Sequence, residues 1–88
     1  MTFHTSSETL NGRSSYKVVG TNVPLSKLTT AFTDRLDTPV QLGDGLSADQ
    51  RYSMEVTADS WRAALDAFAV AAAITVTESG DGLVLTPR

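Results

Sequence analysis

"SMEVTADSWRAALDAFAVAAAITV", Ser53 to Val76, changes its apolar period twice within its length. In "RYSMEV" (Arg51 to Val56) the residues alternate, with Tyr52, Met54 and Val56 on one face and Arg51, Ser53 and Glu55 on the other. That period of two is a half-buried strand. Trp61, Leu65, Phe68 and Ala72 then recur at helical spacing, which predicts an amphipathic helix capped by Thr57 or Asp59. "ITVTE" (Ile74 to Glu78) returns to strand character, and "SGDG" joins it to "GLVLT" (Gly82 to Thr86) as a hairpin. The stretch holds no His, Cys or Asn and a single basic residue, Arg62, so this part of the chain carries little chemistry.

Upstream the same order recurs. "SSYKVVG" (Ser14 to Gly20) reads as a strand with Tyr16 and Val18 on one face and Lys17 and Val19 on the other. Pro24 suits a first helical turn, where a missing N–H costs nothing. Leu25, Leu28, Phe32 and Leu36 form one apolar stripe of a helix from about Pro24 to Leu36. "DTP" ends it, because the residue before proline avoids helical ψ. "PVQL" (Pro39 to Leu42) is a short strand, and "GDGLSADQ" (Gly43 to Gln50) is a loop of turn formers. Residues Val19 to Leu42 and Glu55 to Leu85 therefore repeat an architecture, a helix between strands, without repeating a sequence.

The expected fold is α+β, a small mixed β-sheet covered by two helices in the order β-α-β-β-α-β-β. Residues 14–88 make the single domain. Residues 1–13 admit two readings, a flexible segment or a short extra strand, the second because Asn11-Gly12 suits a type I′ hairpin turn.

Composition narrows the function classes. A chain of 88 residues is one domain. Chains of this size bury roughly 60% of their unfolded surface, which supports one core but no deep lidded pocket. The net charge is -3, and Arg13, Lys17, Lys27, Arg35, Arg51, Arg62 and Arg88 are scattered. Nucleic-acid binding wants clustered positive charge, and an RNA-binding sheet would also need exposed aromatic residues. Without cysteine there is no disulfide, thiolate nucleophile or cysteine-type zinc site. No apolar run reaches the length of a membrane span. The first ten residues lack the basic and apolar regions of a signal peptide, so an exported protein is expected to appear here without its leader.

Candidate chemistry is sparse. His4 reads as a solvated terminal residue without a positioned partner. Asp44, Asp49, Glu78 and Asp81 lack the spacing of a calcium loop and suit turns. "GDG" and "SGDG" lack the lysine and following helix of a phosphate loop. Trp61, Phe68 and Phe32 sit at helical spacing and read as core rather than a binding platform. No catalytic, metal or cofactor residue is therefore named, and an enzyme or ligand-binding domain is the disfavoured alternative. Two surfaces could dock a protein. The strand Tyr16, Lys17, Val18 and Val19 is expected at a sheet edge, either blunted by Lys17 or used by a partner through Val19. Ala63, Ala67 and Val70 lie on the outward helix face, where small residues allow close approach, though alanine also simply favours helix.

The stretches "NVPLSKLTTAFTDRLDTPVQL" and "YSMEVTADSWRAALDAFAVAAAITVTESGDGLVLTP" resemble the short N-terminal domain shared by secretins and TonB-dependent receptors, called N0 or STN. "PL" before an amphipathic helix, and Ala64-Leu65 with Phe68 at its "AL…L" positions, carry the likeness from Tyr16 to Pro87. The second half departs from it in having no glycine in "RYSMEVTADSW". The resemblance implies a non-catalytic protein–protein interaction module in the periplasm. Its setting would be a bacterial envelope secretion, pilus or TonB-linked signalling system, with an inner-membrane or periplasmic protein as partner. A structural ring or adaptor domain of a phage tail is the alternative. The isolated domain is expected to be a monomer, part of a ring only within a larger assembly.

Overall fold

A computed structural model describes residues 1–88. The elements follow as β1 (Thr2–Leu10), β2 (Arg13–Pro24), α1 (Leu25–Leu36), β3 (Val40–Leu42), β4 (Arg51–Ala58), α2 (Trp61–Ala72), β5 (Ile74–Ser79) and β6 (Gly82–Pro87). From β2 onward this is the α+β order β-α-β-β-α-β-β. The strands divide between two three-stranded sheets. One is antiparallel in the order β1-β2-β4. The other is mixed, in the order β3-β6-β5, with β3 parallel and β5 antiparallel to β6.

The division follows from the repeat. In each half a strand of the first sheet leads through a helix to a strand of the second, β2-α1-β3 and then β4-α2-β5. Both helices touch both sheets. Val18, Val23, Met54 and Val56 come inward from the first sheet, and Val40, Ile74, Leu83 and Leu85 from the second. They meet Leu25, Leu28 and Phe32 of α1 and Ala64, Leu65, Phe68 and Ala69 of α2 in one core without a buried polar residue. The alternation expected in β4 is present, with Met54 and Val56 buried and Glu55 exposed between them.

Of the two readings of residues 1–13 the strand is the one present, and other local expectations are corrected. Residues 2–10 are a strand paired with β2 along its whole length, from Thr2 opposite Thr21 to Leu10 opposite Arg13. Asn11 and Gly12, at φ 54° and 77°, make the connection, the positive pair that a type I′ turn requires. β2 does not stop at Gly20 but continues to Pro24 across a bulge between Gly20 and Val23. Asn22 takes φ 57° there, its N–H donates to Ser53 Oγ at 3.1 Å, and Arg51 donates to its carbonyl at 3.0 Å. Gly20 leaves the room this requires, since a Cβ would lie 2.7 Å from both Met54 Sδ and Val23 Cγ2. The α2 cap is Ser60, neither Thr57 nor Asp59. Ser60 Oγ accepts the Ala63 N–H at 3.0 Å, while Thr57 is still within β4. Ala72, expected on the buried stripe, is only half-buried, as is Trp61 in the first turn, and Ala64 and Ala69 fill the interior.

Candidate interaction surfaces

The strand Tyr16 to Val19 is not an edge. β2 is the central strand of its sheet, with β1 on one side and β4 on the other, so its backbone is paired on both sides. Val18 is core, 1% exposed. Tyr16 is half-buried and packs its ring on Trp61, centroids 4.8 Å apart and planes tilted by 53°. Arg35 lies over the same indole, 5.3 Å from its centroid, and donates to Thr5 Oγ1 at 2.9 Å. Tyr16, Trp61, Arg35 and Thr5 thus tie β1, β2 and both helices together. Lys17 is exposed and sits 3.4 Å from Glu55, while Val19 is half-buried beside it. The strand reads as an edge from sequence because its partner is the polar first ten residues, whose weak pattern suits strand and tail equally. The one local signal was Asn11-Gly12.

The α2 face has the expected exposure. Ala67 and Val70 are exposed one turn apart, Ala63 is half-buried before them, and Val70 is 62% exposed. Asp66 flanks them and accepts from Arg62 Nε at 3.2 Å, and Arg62 also reaches Glu78 at 3.6 Å. Arg62 and Glu78 border an open cleft of about 350 Å³ between the end of α1, the start of α2 and the β5–β6 turn. Its one cation is already matched by two carboxylates.

His4 is exposed on β1, opposite Val19. No group of three or more His, Cys, Asp or Glu residues is placed to hold a metal ion. Asp44 and Asp49 lie in the loop before β4, and Glu78 and Asp81 lie at the β5–β6 hairpin, so the four carboxylates do not converge on one loop. No helix is long and apolar enough to cross a membrane.

No family model and no curated protein matches the chain. Among solved structures, a chain from Parabacteroides distasonis described as a putative anti-sigma factor has the same fold, with a TM-score of 0.67 at 17% sequence identity. The match covers 82% of this chain and 34% of that one, so the present chain corresponds to about a third of the Parabacteroides protein. The secretin N0 and TonB-receptor resemblance drawn from the sequence is overturned by this finding. The residues that carried it, Leu25 and the Ala64-Leu65-Phe68 set, are core positions, and core positions record a packing arrangement that unrelated functions share.

Proposed function

We propose that the chain is a non-catalytic protein-binding domain of a regulatory protein. The observation that supports this reading is the fold shared with the Parabacteroides protein over most of this chain. An anti-sigma factor acts by binding another protein, and a small rigid domain with an open surface suits that work. The surface we assign to the contact is the outward face of α2. Val70 is the large apolar side chain that the helices leave exposed, and Ala63 and Ala67 beside it let a partner element come close.

Isotope-labelled chain titrated with each purified sigma factor of the source organism tests the reading. A binding partner shifts a contiguous set of amides that includes Ala67 and Val70, and Val70→Asp weakens that binding about tenfold, the effect of burying a charge at an apolar contact. Unshifted spectra with every sigma factor overturn the regulatory reading. Shifts elsewhere with α2 silent overturn only the choice of face. The secretion, pilus and TonB-linked settings, the phage-tail alternative and the periplasmic location all stood on the overturned resemblance, and no feature of the fold favours one of them.

A further inference from the structure

We infer that β1 is a self-pairing edge, at which two copies of the chain join antiparallel about a two-fold axis through Ser6. The first observation is an unprotected edge. β1 is nine residues long, has no strand on its outer side, and keeps an unbroken register with β2. Protein edges are ordinarily blunted by lysine, proline, a bulge or shortness, and Thr2–Leu10 has none of these. The other edges differ. β3 has three residues, β5 has six, one of them Glu78, and β4 has eight, two of them the charged Arg51 and Glu55, against the single carboxylate Glu8 in the nine of β1.

The second observation is where the backbone groups point. The two-residue turn makes Leu10 and Arg13 a hydrogen-bonded pair, so the even-numbered residues of β1 bond to β2. Phe3, Thr5, Ser7 and Thr9 therefore turn their N–H and C=O groups to the open side. Joining two such edges about a two-fold axis perpendicular to the sheet requires that some residue sit opposite itself. Only Ser6, the midpoint of Thr2–Leu10, lets all nine residues pair.

That full-length register is also the one in which an imidazole donor meets a carboxylate acceptor. It sets His4 of one copy opposite Glu8 of the other, and does so twice. Centring on Glu8 or on His4 would instead set like against like. His4 and Glu8 occupy non-hydrogen-bonded positions, where opposed side chains come closest, about 4.5 Å between Cα atoms. The register also brings the Leu10 end of one strand to the Met1 end of the other. Leu10 and Met1 are 68% and 61% exposed in the single chain. The product is a continuous sheet β4-β2-β1-β1-β2-β4. The expectation of a monomer takes no account of this edge, because residues 1–13 read from sequence equally as strand or tail.

A single strand edge makes a small interface, so association in the upper micromolar range is expected. Sedimentation equilibrium from about 10 µM to about 1 mM should show a monomer–dimer equilibrium. The chain has no cysteine of its own, which allows a register test. Ser6→Cys places two thiols opposite each other at a separation a disulfide accepts, whereas Glu8→Cys places them roughly 14 Å apart along the strands. Ser6→Cys should cross-link at least about tenfold faster on mild oxidation. Glu8→Lys and His4→Glu should each weaken self-association by about fivefold, and a mixture of the two should form the mixed dimer, where every opposed pair is attractive. A monomer at the highest concentration, equal cross-linking rates, or no mixed dimer would each overturn the proposal. All these substitutions lie on the solvent face of β1, and circular dichroism confirms that each variant is folded before it is compared.

Discussion

The two helices begin in different ways. α2 carries its own cap: Ser60, the residue just before it, accepts the Ala63 N–H. α1 follows Pro24, which offers no side-chain cap, and its first amides are taken by carbonyls of a loop far along the chain. Leu25 N–H donates to Gln50 O at 2.8 Å and Ser26 N–H to Ala48 O at 3.0 Å. One helix start is thus a local device and the other a tertiary one. The loop "GDGLSADQ", which read from sequence as simple turn material, is the N-terminal cap of α1. A helix needs its first amides satisfied, but it does not matter physically which part of the chain supplies the acceptors.

The sharpest way to break this comparison is at the shared core, where the two halves should be indistinguishable. Leu28 on α1 and Leu65 on α2 are each 1% exposed in one core. Leu28→Ala and Leu65→Ala should each lower the unfolding free energy by about 3 kcal/mol, with a single cooperative transition in urea. Unequal costs, or two transitions, would mean that the halves are separately stable.

The two caps come next in size. Replacing Asp44–Asp49 by a short glycine linker removes the Ala48 acceptor and displaces Gln50, and should cost about 2 kcal/mol by leaving α1 amides unsatisfied. Ser60→Ala should cost about 1 kcal/mol. Thermal unfolding of both variants checks the order. If the loop change were the milder one, solvent would be replacing the loop carbonyls at no penalty.

The helix ends make the smallest and opposite effect. Both helices terminate in the left-handed region without glycine, Asp37 at φ 53° and Ala73 at φ 59°. Alanine tolerates that conformation badly, whereas aspartate visits it more readily. Ala73→Gly should raise stability by about 1 kcal/mol and Asp37→Gly by less, read as a rise in melting temperature of a few degrees for the first. Ala73 also accepts from the Arg88 N–H at 3.1 Å, and glycine leaves that bond intact.

These contrasts show where the sequence was legible. The apolar periods located α1, α2, β3, β4, β5 and β6 closely, because the residues that set each period are those the core buries. Thr57, Asp59 and Ser60 can all cap, and only the start of α2 at Trp61 selects Ser60 among them. The continuation of β2 to Pro24 was hidden by "TNVP", in which a bulge at Asn22 mimics a loop. For the candidate surfaces, exposure of Ala67 and Val70 followed from helical spacing alone. The supposed edge at Tyr16–Val19 did not hold, since edge status depends on neighbours and not on the strand itself.

The sequence by itself determined the helices, most of the strands, most of the core and the scarcity of reactive groups, because each of these depends on residues close together in the chain. Tertiary structure alone decided that the strands divide into two sheets, that residues 2–10 cover one side of β2, and that a distant loop caps α1. Those outcomes are backbone hydrogen bonds between segments far apart in sequence. Every residue but proline carries the same backbone donor and acceptor, so side-chain identity cannot say which segments will meet.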